Sequence, residues 1–450
     1  MLVVMSDLHF AESKTNQLGQ IEFNNNLPAI VYRNYFQELA VIIKQKEIKK
    51  VDLVLAGDIF ELTRTGLWLK DDLRPYFGLK EIFPDSQIEK RVIEILSEIA
   101  ADDRVSETLQ DIRSIDRIVG VPVHIHYIPG NHDRLVNCTR STRRIVKRML
   151  GISETDEPFN NSFIFAPQSQ PLVLVRHGHE YDPINFGEDI TKQNVIPFEI
   201  DQIVYDKPIF GDFFTVEIAT RLPVFFKRYY SDDVIINDNN LFRIYKRLIE
   251  FDNLRPSSAL LNYLFSTPGL SKRKSWDMLE PVFINILNAI SSTDTIYHNH
   301  KERYSLNFGQ SLLLAIIINA NIFRKKFPYW LIIMIMKVVS KNIKQPSVRN
   351  IVAKETCLDE DSDIKCIISG HTHNPEVEIV SFNNGVERYY INSGSWRNQV
   401  LAASKLNSFG HLRALAKVIV FGTDEQNPEY DKKPEWSFDY NSELGYGKQD

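Results

Sequence analysis

Cysteine is scarce in this sequence. Its 450 residues include only Cys138, Cys357 and Cys366. So few, so widely spaced, exclude a disulfide framework and a cysteine-rich zinc site. They suit a reducing compartment. Long apolar runs are also missing. "LLLAIII" (Leu312 to Ile318) and "YWLIIMIM" (Tyr329 to Met336), separated by Arg324, Lys325 and Lys326, are the strongest candidates. Both fall well short of the roughly 20 apolar residues that a spanning helix needs. Buried helices of a cap are the expectation, with a lipid-facing surface and peripheral membrane contact as the alternative. No charge dominates: the net value is −5, which excludes a strong global attraction for nucleic acid but not a local basic groove. The opening "MLVVMSDLHF" lacks a basic segment and a cleavage site, so a cytoplasmic protein is expected.

The composition is otherwise that of a globular chain, 43% hydrophobic and 25% charged, with enough residues for a sizeable core. Short apolar runs alternate with helical patterns. "LVVMSD" ends at Asp7, a helical pattern covers Tyr32 to Lys46, and "VDLVLAGD" ends at Asp58. A longer helical stretch covers Gln87 to Ile118, and "VPVHIHYIPGNHD" follows. Such alternation implies an α/β layered fold. "LVLVRHGH" (Leu172 to His179) and "IKCIISGHTH" (Ile364 to His373) are further strands. "EVEIVSF" and "ERYYINS", joined through Asn383, Asn384 and Gly385, form a hairpin signal, and "AKVIVFG" closes the series. The stretch between His179 and Gly370 is too long for a loop and reads mostly as helix. The expected division is a catalytic core over 1–182 and 364–430, an inserted helical cap over 183–363, and a polar C-terminal tail over 431–450.

Five of these strands, the ones that run into "DLH", "GD", "GNHD", "HGH" and "GHTH", end in side chains able to hold a metal. They are Asp7 and His9, Asp58, Asn131 and His132, His177 and His179, and His371 and His373. Ligand sites of open α/β sheets lie beyond the carboxyl ends of the strands, so the residues are expected to converge. "GD" or "DLH" alone is an ordinary turn. The ordered set of all five is not. Imidazole, carboxylate and amide oxygen suit first-row divalent ions. Asp7, His9, Asp58, Asn131, His177, His371 and His373 are too many for one four-coordinate ion and suit two.

In order and type, "DLH", "GD", "GNHD", "HGH" and "GHTH" resemble the motifs of the calcineurin-like metallophosphoesterases. The resemblance covers roughly 1–182 and 364–422. It implies a four-layer α/β/β/α sandwich and a phosphate-ester substrate. It also implies two divalent ions, with manganese first among Mn, Fe, Zn, Ni and Co. Asp7, His9 and His373 would hold one ion, and Asn131, His177 and His371 the other. Asp58 would bridge them. The two cations would acidify a shared water, whose hydroxide attacks phosphorus. His132 would protonate the leaving oxygen, with Asp133 orienting its ring. "INSGSW" (Ile391 to Trp396) resembles a strand end that many members place near the site.

"GDIFEL" is similar to a motif of the UDP-2,3-diacylglucosamine pyrophosphatase branch. That branch has Arg in place of His132 and a shorter insertion placed elsewhere, so its lipid substrate is not assigned. His179 is expected to touch ligand or substrate. The basic segment "TRSTRRIVKRML" puts Arg140 and Arg144 on one helix face, as a candidate cradle for a polyanionic substrate. "FFKRYY" and "LFRIYKRL" mix basic and aromatic residues. Amphipathic cap helices explain them, and gripping of a nucleic-acid strand is the alternative. His298, His300, His124, His126 and His411 carry no ligand signal. The expected activity is hydrolysis of a phosphodiester, nucleotide or pyrophosphate bond. The alternatives are a nuclease on DNA or RNA and a lipid-linked nucleotide pyrophosphatase at a membrane surface.

Overall fold

The computed structural model describes residues 1–450 except 72, 77, 257–258, 292–325, 342–347, 360–361, 384, 404–407, 423–424, 426–435 and 446–450. The run Leu312 to Ile318, the pair His298 and His300, and Asn384 lie outside the described residues.

The chain forms a mixed α/β fold with a seven-stranded and a five-stranded sheet. In the larger sheet Leu2–Met5 pairs parallel with Val51–Ala56, which pairs parallel with Val123–Ile128. Phe409–Gly422 lies antiparallel on the other side of Leu2–Met5 and also pairs with Trp396–Ala402. In the smaller sheet Val173–Arg176 and Val386–Asn392 flank Cys366–Ser369, both parallel to it. The hairpin of Glu376–Asn383 and Val386–Asn392 is present.

The two sheets face each other. Leu2, Val4, Val54, Ala56 and Ile128 share one apolar cluster with Val173, Val175, Cys366, Ile368 and Ile391. The intervening residues Val3, Met5, Leu53 and Leu55 point the other way, onto Tyr32, Phe36, Leu39, Ile95 and Leu96. Strands covered on both faces need apolar residues at nearly every position, which is why these runs show little alternation. The covering helix Ala29–Gln45 buries Ala29, Tyr32, Tyr35, Phe36, Leu39 and Ile43, the spacing of one helical face. On the far side of the smaller sheet, Leu174, Ile367 and Tyr390 meet Phe186, Ile196, Val204 and Ile351.

The helical stretch expected over Gln87 to Ile118 is broken into Gln87–Ala101, Asp103–Arg113 and Ile115–Val119. Asp102 causes the first break. Its carboxylate accepts from the N–H groups of Arg104 and Val105, satisfying donors that a helix start leaves orphaned.

The expected polar tail is corrected in part. Trp436–Gly445 is a strand, paired antiparallel with Phe409–Gly422. Trp436, Phe438 and Tyr440 alternate onto the apolar cluster between the sheets, so the segment has a buried face despite its polar residues. The stretch expected as an inserted cap is continuous with the rest. Leu254–Arg255 pairs parallel with Val400 and Leu401, and Phe226, Ile244, Tyr245 and Leu248 share one continuous cluster with Tyr32, Phe36 and Leu55. Among the described residues no helix is long and apolar enough to cross a membrane.

Candidate metal centre

Parallel register decides where the polar strand ends go. Met5 pairs with Leu55, and Ala56 pairs with Ile128. The loops that follow therefore leave the sheet at one edge, carrying Asp7 and His9, Asp58, and Asn131. In the second sheet Val175 pairs with Ile368, which brings His177 beside His371. The turns are sharp. Asp7, His9, Asp58, His371 and His373 all have φ between 46° and 67°, the left-handed region that non-glycine residues seldom adopt and that clusters at functional sites. Glycine is needed where loops touch: a Cβ on Gly370 would run into the carboxylate of Asp7, and one on Gly130 into that of Asp58.

Groups able to hold an ion result. Asp7, His9 and His373 form one, fully buried, and Asp58, His177 and the partly exposed His371 another; His9 also gathers with Glu61 and His132 in a third. His373 Nε2 lies 3.1 Å from Asp7 Oδ1, and His9 Nε2 lies 3.1 Å from His373 Nε2. Asp58 stands between the groups, with Oδ2 3.6 Å from His9 Nε2 and 3.3 Å from His177 Nε2. Asn131 Oδ1 lies 3.3 Å from His177 Nε2. His177 Nδ1 donates to the carbonyl of Ala56 at 2.9 Å. That contact sets the tautomer and turns Nε2 inward. His371 Nε2 is 3.1 Å from Asp182, leaving Nδ1 for the centre.

Burial disfavours ionised Asp7, yet His373 and His9 hold its carboxyl well below the usual range. Asp58 is also held low, with His177 and His132 outweighing burial. Burial pulls His177 down, but the carboxylate of Asp58 pushes it up to about 10. Buried anions surrounded by imidazoles are costly without a compensating cation. The donor set, oxygen and nitrogen without sulfur, fits first-row divalent ions.

Residues 1–212 match the family model described as calcineurin-like phosphoesterase. Members of that family are metal-dependent phosphoric ester hydrolases. No curated protein matches the chain. The matched residues include "DLH", "GD", "GNHD" and "HGH" but end before His371 and His373. The parallel pairing of Cys366–Ser369 with Val173–Arg176 returns those two to the same centre.

His132 lies at the rim of these groups. Its backbone N–H donates to Asp58 Oδ1 at 2.8 Å, and its Nδ1 lies 2.9 Å from Glu61 and 3.1 Å from Thr63 Oγ1. The expectation that Asp133 orients the ring is corrected. Asp133 accepts from the N–H groups of Ile59, Phe60 and Gly130 at 2.8, 3.2 and 2.5 Å, so it braces the two ligand loops. Adjacent residues point apart, and the carboxylate at the ring comes from another loop. Glu61 also reaches Nδ1 of His9 at 3.1 Å. It was within the quoted "GDIFEL", but nothing local assigned it this place.

The other sequence candidates divide. His179 is buried beside His177, ring centroids 5.3 Å apart, and burial pulls its imidazole down to about 4. It packs among Phe186, Tyr205 and His371. Arg140 and Arg144 instead pair with Asp156 on the surface. An acidic neighbour thus shares both cations of the expected cradle. "INSGSW" supports the centre from behind. Asn392 Nδ2 donates to the carbonyl of Gly370 at 2.8 Å, and Ser393 and Ser6 share a 2.7 Å hydrogen bond. Sequence reasoning missed Arg255, whose Nη2 lies 2.8 Å from His373 Nδ1, and Asp182. Neither sits in a recognisable motif.

Proposed function

We propose that this centre hydrolyses a P–O bond of a phosphodiester, nucleotide or pyrophosphate with the help of two divalent ions. The observation that carries the reading is Asp58, whose buried carboxylate lies within 3.6 Å of imidazoles from both ligand groups. Asp7, His9 and His373 would hold one ion, and Asn131, His177 and His371 the other, with Asp58 shared. Bound there, the pair would supply Lewis-acid charge and a water acidified toward neutral pH, and manganese suits the donor set.

The protein's own groups do the rest. The Nδ1–H of His132 donates to Glu61, so the proton to be given away resides on Nε2. The Glu61 carboxylate favours the imidazolium, the form that can protonate a leaving oxygen. Thr63 Oγ1 donates to Glu61 Oε1 at 2.9 Å, fixing the carboxylate that fixes the ring. Loops braced by Asp133 keep these groups in place before substrate arrives, which lowers the cost of reorganisation during reaction.

The test is a substrate panel with manganese added: a phosphomonoester, a phosphodiester, nucleotide pyrophosphates, and single- and double-stranded DNA and RNA. Turnover of a diester or pyrophosphate, lost in His132→Ala, is expected. Turnover confined to the monoester, or unchanged in His132→Ala, would overturn the reading.

A further inference from the structure

Arg255 belongs to the inserted segment, yet its backbone is part of the core sheet. Leu254 and Arg255 pair with Val400 and Leu401, Leu254 is fully buried, and Asn253 Oδ1 accepts from Arg397 at 2.7 and 3.1 Å. The base of the side chain is therefore anchored, while its tip reaches the centre. Nη1 donates to the Leu254 carbonyl at 2.9 Å, and Nη2 lies 2.8 Å from Nδ1 and 3.0 Å from Nε2 of His373.

That contact conflicts with a metal-holding His373. A guanidinium only donates, and a neutral imidazole has a single in-plane lone pair. Once that pair is given to a cation, the other ring nitrogen carries hydrogen and accepts nothing. Arg255 and an ion thus compete for the same electrons of His373. They also repel each other as charges.

A second guanidinium approaches from the same wall. Arg64, just after Glu61 and Thr63, donates to the carbonyl of Leu248 at 3.1 Å and lies over the ring of Phe251. The stretch from Leu248 to Arg255 therefore touches the loop of Glu61 through Arg64 and reaches His373 through Arg255.

We propose that Arg255 binds a phosphoryl oxygen of the substrate when an ion holds His373. The proposal rests on the hydrolytic reading above. An anchored, permanently charged fork beside the centre matches phosphate oxygens bidentately. The segment that carries Arg255 would then contribute directly to substrate binding.

Isothermal titration of the full chain tests this without turnover. Manganese is titrated into chelator-treated wild type, Arg255→Met and Arg255→Lys, and inorganic phosphate is then titrated into each loaded protein. Arg255→Met is expected to bind manganese at least as tightly as wild type. Its phosphate affinity is expected to fall about 10- to 100-fold, the usual worth of a hydrogen bond to a charged group. Arg255→Lys should fall between. The control Arg273→Met removes an exposed charge that pairs with Asp277 and should change neither affinity.

Phosphate affinity unchanged in both Arg255 variants, or equally reduced in the control, would overturn the proposal. Thermal melts identify a variant that fails to fold, and Arg255→Lys then decides. A wild type that binds no manganese would instead defeat the hydrolytic reading itself.

Discussion

The carboxylate of Glu61 stands 2.9 Å from Nδ1 of His132, although the two residues lie on different loops. The same carboxylate reaches Nδ1 of His9 at 3.1 Å, so it links the proposed proton donor to a candidate ligand of the first group. Glu61→Gln keeps the shape and removes the charge. At saturating manganese, kcat is expected to fall about 10- to 100-fold, the range usual for carboxylates behind a metal-site histidine. The acid limb of the pH–rate profile should move as well. Asp133→Asn should act on stability instead. It turns an amide toward backbone donors and is expected to cost about 1–3 kcal/mol in urea denaturation. A kcat in Glu61→Gln equal to wild type would remove Glu61 from the mechanism.

Asp58 contacts both ligand groups, and its loss should therefore be felt at two ions. Elemental analysis of Asp58→Ala is expected to find less than one ion per chain, against two in wild type. Adding manganese to chelated wild type should raise Tm, since a ligand that binds only the folded state at 100 times its Kd contributes about 2.7 kcal/mol. The same addition should leave the Tm of Asp58→Ala nearly unmoved. Equal metal content in the two proteins would contradict the shared role.

Gly370 leaves room for Asp7. Any Cβ there meets the Asp7 carboxylate and the hydroxyl of Ser6, and the N–H of the next residue, His371, donates to Asp7 at 3.0 Å. Gly370→Ala is expected to push the "GHTH" loop off the sheet edge. Manganese affinity should fall by at least about tenfold, as a shifted ligand shell predicts, while the far-UV circular dichroism stays that of wild type. Wild-type affinity would mean that the loop yields without consequence.

Arg134 follows the "GNHD" motif, and its Nε donates to Asp212 Oδ2 at 2.7 Å, with both side chains buried. The pair ties the His132 loop to the inserted segment. Burial raises the carboxyl of Asp212 in spite of Arg134. Removing one partner strands the other, so Arg134→Met is expected to destabilise by about 3–5 kcal/mol in urea denaturation. Arg134→Met with Asp212→Leu should recover part of the loss, because no charge is then left alone. A double variant less stable than Arg134→Met would refute this account.

The candidate ligand set was legible because each of its residues ends or follows a short apolar strand. Strand period and parallel pairing then suffice to place Asp7, Asp58, Asn131, His177 and His371 at one edge. The Trp436–Gly445 strand was less legible. Its alternating Trp436, Phe438 and Tyr440 are diluted by charged and polar neighbours, and only the partner strand Phe409–Gly422 reveals a buried face. Asp102 shows a local signal that was readable in principle: an Asp before a new helical turn is a cap.

The sequence by itself determined the α/β class and the types and order of the groups at the centre. Those depend on periodicity and on glycine-bounded strand ends, which are properties of neighbouring residues. Only the tertiary structure decided which groups work together. Glu61 rather than Asp133 holds His132, Asp156 rather than a site anion faces Arg140 and Arg144, and Arg255 reaches His373 from far along the chain. Such pairings join segments that meet only when the two sheets stack and the insertion packs onto them. Their energies depend on burial, and burial has no local signature.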